Sequence, residues 1–200
     1  MELVRGKTLL EHLNAKKTFG EDAALAIIVD VAKALDYLRS RGIVHRDIKP
    51  GNLMIGEAGE VKLIDLGFAQ KQDEARAADK KPSDSTVGTV HYLSPEQARG
   101  EEDLDVRSDI YALGVTLFHL TVGDLPFRGD APSEVVRKHV LEELSSPALK
   151  SRGISPHLHY FIQKMMAKER EIRYESPQAL VRDIEKTVAG KKSLEFKPRR

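Results

Sequence analysis

One polar stretch, residues 45–52, dominates the sequence: His45-Arg46-Asp47-Ile48-Lys49-Pro50-Gly51-Asn52. It has neither a helical nor a strand period and contains a Pro-Gly pair, which predicts a loop. Further groups of charged and small residues follow it along the chain, in the order Asp65-Leu66-Gly67, Gly88-Thr89, Tyr92-Leu93-Ser94-Pro95-Glu96, Arg107-Ser108-Asp109 and Arg173. Each group taken alone is a common loop or turn sequence. Their order is the informative feature.

The segments around this loop predict a mainly α-helical fold with one small β-hairpin. Upstream, apolar residues recur at offsets of three and four, the stripe of a helix buried on one face, with Gly42 as its stop: Leu25, Ile28, Val29, Ala32, Leu35 and Leu38. Downstream, residues 53–55 and 61–64 predict two short strands joined by a turn through Gly56 and Gly59. Residues 110–120 are apolar nearly all round, which predicts a buried central helix.

The remaining segments divide into helix starts and polar stretches. Three Ser-Pro pairs predict helix N-termini with serine as the N-cap, at Ser94, Ser155 and Ser176, and Gln97 completes a capping box with Ser94. Residues 70–86 are polar and charged, which predicts a mobile surface loop. Residues 191–200 carry five cations and one carboxylate, which favours a solvated basic tail over a membrane-directed segment.

Composition excludes several classes of protein. The 200 residues fit one domain or one large lobe, with 32 Lys and Arg against 31 Asp and Glu and hence a net charge of +1. A dedicated nucleic-acid binder would usually be clearly basic. The chain has no cysteine, which excludes disulfides, thiolate metal sites and a cysteine nucleophile. No apolar run reaches transmembrane length and no signal peptide is present, so we expect a cytoplasmic protein.

In this order and spacing, the motifs resemble those of the C-terminal lobe of a serine/threonine protein kinase, most like bacterial kinases of the eukaryotic-like class. Lys49, two residues after Asp47, is the serine/threonine form of the loop. The resemblance implies an α+β kinase-like C-lobe truncated at the hinge. It places a partial kinase domain, the hinge and the C-lobe, at residues 1–190 and a basic tail at residues 191–200.

The resemblance implies a role for each polar residue of the site. Asp47 would be the catalytic base and Lys49 would stabilise charge on the transferred phosphoryl group. Asn52 and Asp65 would bind Mg²⁺ through oxygen atoms. The ATP-binding residues would be Glu2 and Val4 of the hinge and Met54, which would form the adenine floor with Leu53 and Ile55.

Other residues would have structural roles in such a lobe. His45 would pack against Leu66 in an apolar column. The remaining assignments are a carboxylate that holds the backbone of the catalytic loop (Asp109), a buried ion pair (Glu96 with Arg173) and a bridge from the catalytic loop to the substrate-docking loop (Thr89). Arg46 implies control by phosphorylation of the loop at Ser83, Ser85 or Thr86.

The N-terminal lobe of a kinase domain has no counterpart in these 200 residues. No two glycines are separated by one residue, so the 200 residues contain no G-x-G-x-x-G loop. We therefore expect ATP and Mg²⁺ to bind weakly and this fragment to be inactive alone. The alternative function is a non-catalytic kinase lobe acting as an interaction or regulatory module.

The partner expected for the enzyme is a protein substrate, and no nucleic acid is expected. Self-association through the exposed inter-lobe face is a second expectation, because large apolar patches mark interaction sites. A membrane would be involved only if the full-length protein continued beyond the basic tail. The sequence does not identify the substrate.

Overall fold

The computed structural model describes residues 6–16, 18–71, 89–144 and 154–190. Within these ranges there are five strands, β1 Gly6–Thr8, β2 Ile43–Val44, β3 Leu53–Gly56, β4 Val61–Leu63 and β5 Gln70–Lys71. There are seven α-helices, α1 Leu9–Lys16, α2 Glu21–Arg39, α3 Pro95–Ala98, α4 Val106–Val122, α5 Pro132–Leu141, α6 Pro156–Met165 and α7 Pro177–Val188. The predicted mainly α-helical fold with a small β component is confirmed. The predictions for Glu2, Val4, Ser83, Ser85, Thr86 and the basic tail lie outside the described residues.

The centre of the fold is α4, as its apolar sequence predicts. Every residue of this helix except Arg107 and His119 is buried. Its first turn is capped by Asp105, whose side chain accepts a hydrogen bond from the backbone N–H of Arg107. It ends at Gly123, which has a left-handed φ of 75° that glycine adopts without steric cost. The two ends of α4 are therefore set by local sequence.

The predicted stripe of α2 is also confirmed. Its buried positions include Leu25, Ile28, Ala32, Leu35 and Leu38, whereas the predicted Val29 is only half-buried, and this face packs against α4 and α7. The helix ends at Arg39 rather than running to the predicted stop, and Gly42 follows three residues later with φ 68°. Helix α4 also packs against α6. The core is thus a layer of helices around α4.

All three predicted serine N-caps are present. The side chains of Ser94, Ser155 and Ser176 each accept a hydrogen bond from the backbone N–H three residues later. At α3 the full capping box forms, because Gln97 also accepts from the backbone N–H of Ser94. Each proline that follows occupies the first turn of its helix, where no backbone donor is needed.

The β component is larger than the predicted hairpin. The hairpin of β3 and β4 is antiparallel and pairs Leu53 with Leu63, but β1 adds a third strand in the order β1-β3-β4. A second, two-stranded sheet pairs β2 with β5. The prediction that the loop begins at Gln70 is therefore wrong, because residues 70–71 are held by backbone pairing to residues 43–44. No helix within the described ranges has both the length and the apolar character needed to cross a membrane.

Candidate active site

The polar loop of residues 45–52 connects β2 to β3, and Asp109 near the start of α4 holds its backbone. The carboxylate of Asp109 accepts the backbone N–H of His45 at 2.9 Å and that of Arg46 at 2.8 Å. Burial raises the pKa of Asp109 to about 7. The hydrogen bonds from the two backbone N–H groups favour the anion and act to lower that pKa, but burial has the larger effect. The predicted contact between Asp109 and the loop backbone is confirmed.

Asp47 lies at the centre of a cluster of loop side chains. It is only 5% exposed. The side-chain amide of Asn52 donates to the backbone carbonyl of Asp47 at 2.8 Å and to its Oδ2 at 2.7 Å. The ammonium of Lys49 lies 2.8 Å from the same Oδ2. Asp47, Lys49 and Asn52 therefore converge as their spacing along the loop predicts.

The two carboxylate oxygens of Asp47 differ in their hydrogen bonding, because only Oδ2 is paired with Asn52 and Lys49. Oδ1 is buried and has no hydrogen-bond partner within the part of the chain that the structure describes. Buried polar atoms in folded proteins are nearly always paired, so an exception calls for an explanation. An unpaired carboxylate oxygen in a polar loop can accept a proton from the hydroxyl of a bound molecule.

Lys49 links this loop to the segment that precedes α3. Its ammonium donates to Oγ1 of Thr89 at 2.8 Å, and Thr89 is buried at the start of a short 3₁₀ helix, Thr89–Tyr92. Thr89 thus contacts the catalytic loop, and its role as a bridge to a substrate-docking loop stays a prediction. The ammonium of Lys49 therefore contacts both Thr89 and the carboxylate of Asp47, through Oδ2.

Asp65 follows β4 and is placed next to the cluster by the hairpin. The backbone N–H of Ile64 donates to the carbonyl of Asn52 at 2.9 Å, which brings the two segments together. Asp65 has a left-handed φ of 66°, its Oδ1 accepts the N–H of Gly67 at 2.8 Å, and its side chain is exposed. Asp65 therefore keeps carboxylate oxygen available for a ligand.

Asn52 and Asp65 fit a site for Mg²⁺. Because the amide nitrogen of Asn52 donates to Asp47, the amide oxygen is the atom left for a ligand. An amide oxygen and a carboxylate are hard ligands of the kind Mg²⁺ prefers, and Mg²⁺ normally completes its shell with water and phosphate. The described residues contain no group of three or more His, Cys, Asp or Glu arranged to hold a metal.

The predicted ion pair of Glu96 and Arg173 is present and buried. Two guanidinium nitrogens of Arg173 donate to the two carboxylate oxygens at 2.7 and 2.9 Å, and the hydroxyl of Ser108 donates to the same carboxylate at 2.7 Å. Burial alone would raise the pKa of Glu96, but Arg173 and Ser108 lower it to about 2. This pair joins α3 to the segment before α7.

Two predicted groupings around the site are wrong in part. Side chains alternate along a strand, so Leu53 and Ile55 face the core while Met54 faces the other way, half-buried. The adenine floor can therefore include Met54 but not its neighbours. Leu66 is 54% exposed although His45 is fully buried, so the predicted packing of Leu66 in an apolar column is not formed.

One contact of the loop was missed by sequence reasoning. Gln97, recognised only as part of a capping box, also donates from its side-chain nitrogen to the backbone carbonyl of Arg46 at 3.0 Å. The two residues are 51 positions apart, and nothing in either segment signals the contact.

A family model for the protein kinase domain matches residues 1–183. The chain belongs to the protein kinase family. The chain is 38% identical over 186 residues to a probable serine/threonine-protein kinase of Clostridium perfringens, covering 93% of this chain and 27% of that protein. It is 40% identical over 184 residues to a probable serine/threonine-protein kinase PknB of Bifidobacterium longum, covering 92% and 26%.

A serine/threonine-protein kinase PknB of Mycobacterium leprae is 36% identical over 190 residues, covering 95% of this chain and 30% of that protein. The chain thus spans less than a third of the length of these curated relatives. These relatives are all bacterial proteins named as serine/threonine-protein kinases.

Proposed function

We propose that this chain carries the catalytic and metal-binding residues of a kinase that transfers the γ-phosphoryl group of ATP to serine or threonine hydroxyls of proteins. The observation that supports it most directly is the state of Asp47. One carboxylate oxygen is fixed by Asn52 and Lys49, while the other is buried and unpaired among the described residues.

The chemistry assigned to these residues is positioning and charge neutralisation. Oδ1 of Asp47 accepts the hydrogen bond of the substrate hydroxyl and orients its oxygen toward the phosphoryl group. The ammonium of Lys49, 2.8 Å from Asp47 and from Thr89, neutralises charge that develops on that group. Asn52 and Asp65 would hold Mg²⁺, which supplies further neutralisation of phosphate charge when bound.

The test is phosphoryl transfer by the full-length protein from labelled ATP to a general protein acceptor, followed by analysis of the phosphorylated amino acids. Label on serine and threonine, dependent on Mg²⁺, is the expected result. Label on tyrosine would contradict the proposed class. Absence of transfer by a folded full-length protein would contradict the enzymatic function itself.

These 200 residues by themselves are expected to bind ATP–Mg²⁺ weakly. They contain no G-x-G pair, so no glycine-rich loop covers the phosphates, and the contacts expected are those of Met54, Asn52 and Asp65 together with Glu2 and Val4 of the hinge. Calorimetric titration of ATP–Mg²⁺ into the purified chain is expected to give millimolar affinity. Micromolar affinity, absent when Mg²⁺ is chelated, would show that the lobe binds nucleotide unaided.

We expect Arg46 to interact with a phosphate carried by the segment that follows β5. Its guanidinium donates to Gln70 on that strand, and its buried Nε has no partner among the described residues. Burial lowers the pKa of Arg46, opposed by Asp109, and a nearby dianion would offset that cost. We expect mass spectrometry of the active protein to find phosphate on Ser83, Ser85 or Thr86. Full activity with all three unphosphorylated would contradict this mode of control.

A second candidate function is a non-catalytic interaction module that binds a second copy of itself. It is favoured by two exposed apolar side chains close in sequence, Leu66 at 54% and Phe68 at 53% exposure. Light scattering at high concentration is expected to show association that Leu66→Ser with Phe68→Ser removes and Leu141→Ser on α5 does not. A monomer at every concentration would count against this alternative.

A further inference from the structure

The residue that precedes Asp47, Arg46, has an unusual backbone conformation. Arg46 has a left-handed φ of 68°, and within the described residues the only other non-glycine residue with a positive φ is Asp65. A left-handed backbone at a residue with a side chain costs on the order of 1 kcal/mol or more, and it persists only where neighbouring contacts hold it. The contacts of the two peptides that flank Arg46 therefore help to determine where Asp47 lies.

Asp109 holds the first of these peptides but not the second, which joins Arg46 to Asp47. Its two oxygens accept the N–H groups of His45 and Arg46, which belong to the two preceding peptides. The peptide between Arg46 and Asp47 has its own pair of contacts. Its N–H donates to Nδ1 of His45 at a long 3.3 Å, and its carbonyl accepts from Nε2 of Gln97 at 3.0 Å. The bond from Gln97 is the shorter of the two.

Gln97 is itself held rigidly. Its Oε1 accepts the backbone N–H of Ser94 at 3.1 Å, and its own backbone N–H donates to the Ser94 hydroxyl at 3.3 Å. This fixes which end of the amide is nitrogen, because the flipped amide would place its NH₂ against an N–H and its oxygen against the carbonyl of Arg46. The adjacent Glu96 is anchored by Arg173 in the buried ion pair.

We propose that Gln97 is a positioning residue for phosphoryl transfer, holding the Arg46–Asp47 peptide so that the carboxylate of Asp47 faces the substrate hydroxyl. The inference rests on the proposed function. It makes the segment from Thr89 to Ala98 clamp the catalytic loop at two points, Lys49 through Thr89 and Arg46 through Gln97.

Three variants separate this role from helix capping. Gln97→Glu keeps the capping box, because a carboxylate accepts from the N-cap N–H, but it cannot donate to Arg46. Gln97→Met also lacks the donor and adds no charge. Ser94→Ala removes the cap hydroxyl and leaves the amide of Gln97 intact, so it lowers stability through the cap alone.

In the full-length protein we expect both Gln97 variants to lower kcat by about 10- to 100-fold with the KM for ATP little changed, since small misplacements of a catalytic group are costly. Ser94→Ala should lower the melting temperature while kcat stays within about twofold. By NMR of the purified chain, amide hydrogen exchange at Asp47 should speed up in both Gln97 variants and not in Ser94→Ala.

Two results would overturn the inference. One is a kcat for both Gln97 variants within about twofold of the parent, with unchanged exchange at Asp47. The other is a kcat that falls in step with melting temperature across all three variants, which would mean that Gln97 acts only through stability. If the parent itself transfers no phosphate, the proposed function fails, and the exchange at Asp47 still decides whether Gln97 holds the peptide.

Discussion

Replacing Arg173 with alanine is expected to lower the free energy of unfolding by about 3–5 kcal/mol, because it leaves the buried carboxylate of Glu96 without its counter-charge. The Arg173 side chain is fully buried. Besides the two bonds to Glu96, its guanidinium donates to the backbone carbonyls of Ala167, Arg107 and Lys168. All five N–H donors of the guanidinium are thus used. The expected loss of unfolding free energy is a large fraction of the total stability of a typical domain.

The matched control is Arg170→Ala, three positions earlier. Arg170 contacts Glu101 and Glu171 at 3.5 and 3.7 Å near the surface, where an ion pair is worth about 1 kcal/mol or less. Arg173→Lys serves as a second variant in case alanine prevents folding, since lysine keeps the charge but has three donors in place of five. Urea unfolding by circular dichroism measures all three. Equal losses for Arg170→Ala and Arg173→Ala would contradict the role given to the buried pair.

The same ion pair predicts a sensitivity to acid. Glu96 has its pKa lowered to about 2 from a usual 4.5, so its contribution to stability is present above about pH 4.5 and is lost as the pH falls toward 2. Because the pKa of Asp109 is raised to about 7, its contribution to stability has the opposite pH dependence and decreases as the pH rises toward 7. The measurement is therefore the difference between the parent and Glu96→Gln, in which Asp109 cancels. That difference should shrink between pH 5 and pH 2.5, and a constant difference would contradict the assignment.

The features predicted correctly from sequence are those whose determinants lie close together or belong to a motif. The serine caps at Ser94, Ser155 and Ser176 depend on a donor three residues away, and the stripe of α2 depends on a period of 3.6 residues. The convergence of Asp47 and Asn52 follows from their place in one short loop.

The features that were missed depend on distant partners. Strands β2 and β5 have two residues each, too few to show a period, and they are stabilised by pairing between segments far apart in the sequence. Gln97 contacts Arg46 across 51 positions of sequence, a tertiary contact that no local pattern contains. The exposure of the Leu66 side chain likewise depends on its tertiary neighbours, which its local sequence does not specify.

The second large effect is expected at Asp47. Asp47→Asn is nearly isosteric, and the new amide oxygen can take the place of Oδ2 toward Asn52 and Lys49, so the loop should keep its geometry. The amide NH₂ then occupies the position of the unpaired Oδ1 and presents donors where the substrate hydroxyl needs an acceptor. Loss of a positioned base typically lowers rates by about 10²- to 10⁴-fold, and we expect a kcat reduction in that range.

The comparison that isolates this effect is Asp30→Asn, the same chemical change at an exposed position on α2. Initial rates of phosphoryl transfer by the full-length protein, at saturating ATP–Mg²⁺, should fall for Asp47→Asn and stay unchanged for Asp30→Asn. Because the amide introduced by Asp47→Asn cannot accept the proton at any pH, raising the pH should not restore the rate. The contrary result would be Asp47→Asn that folds with an unchanged melting temperature and keeps more than about a tenth of the parent kcat. The unpaired oxygen would then not be the group that receives the hydroxyl, and Lys49 and the bound metal would have to account for the catalysis.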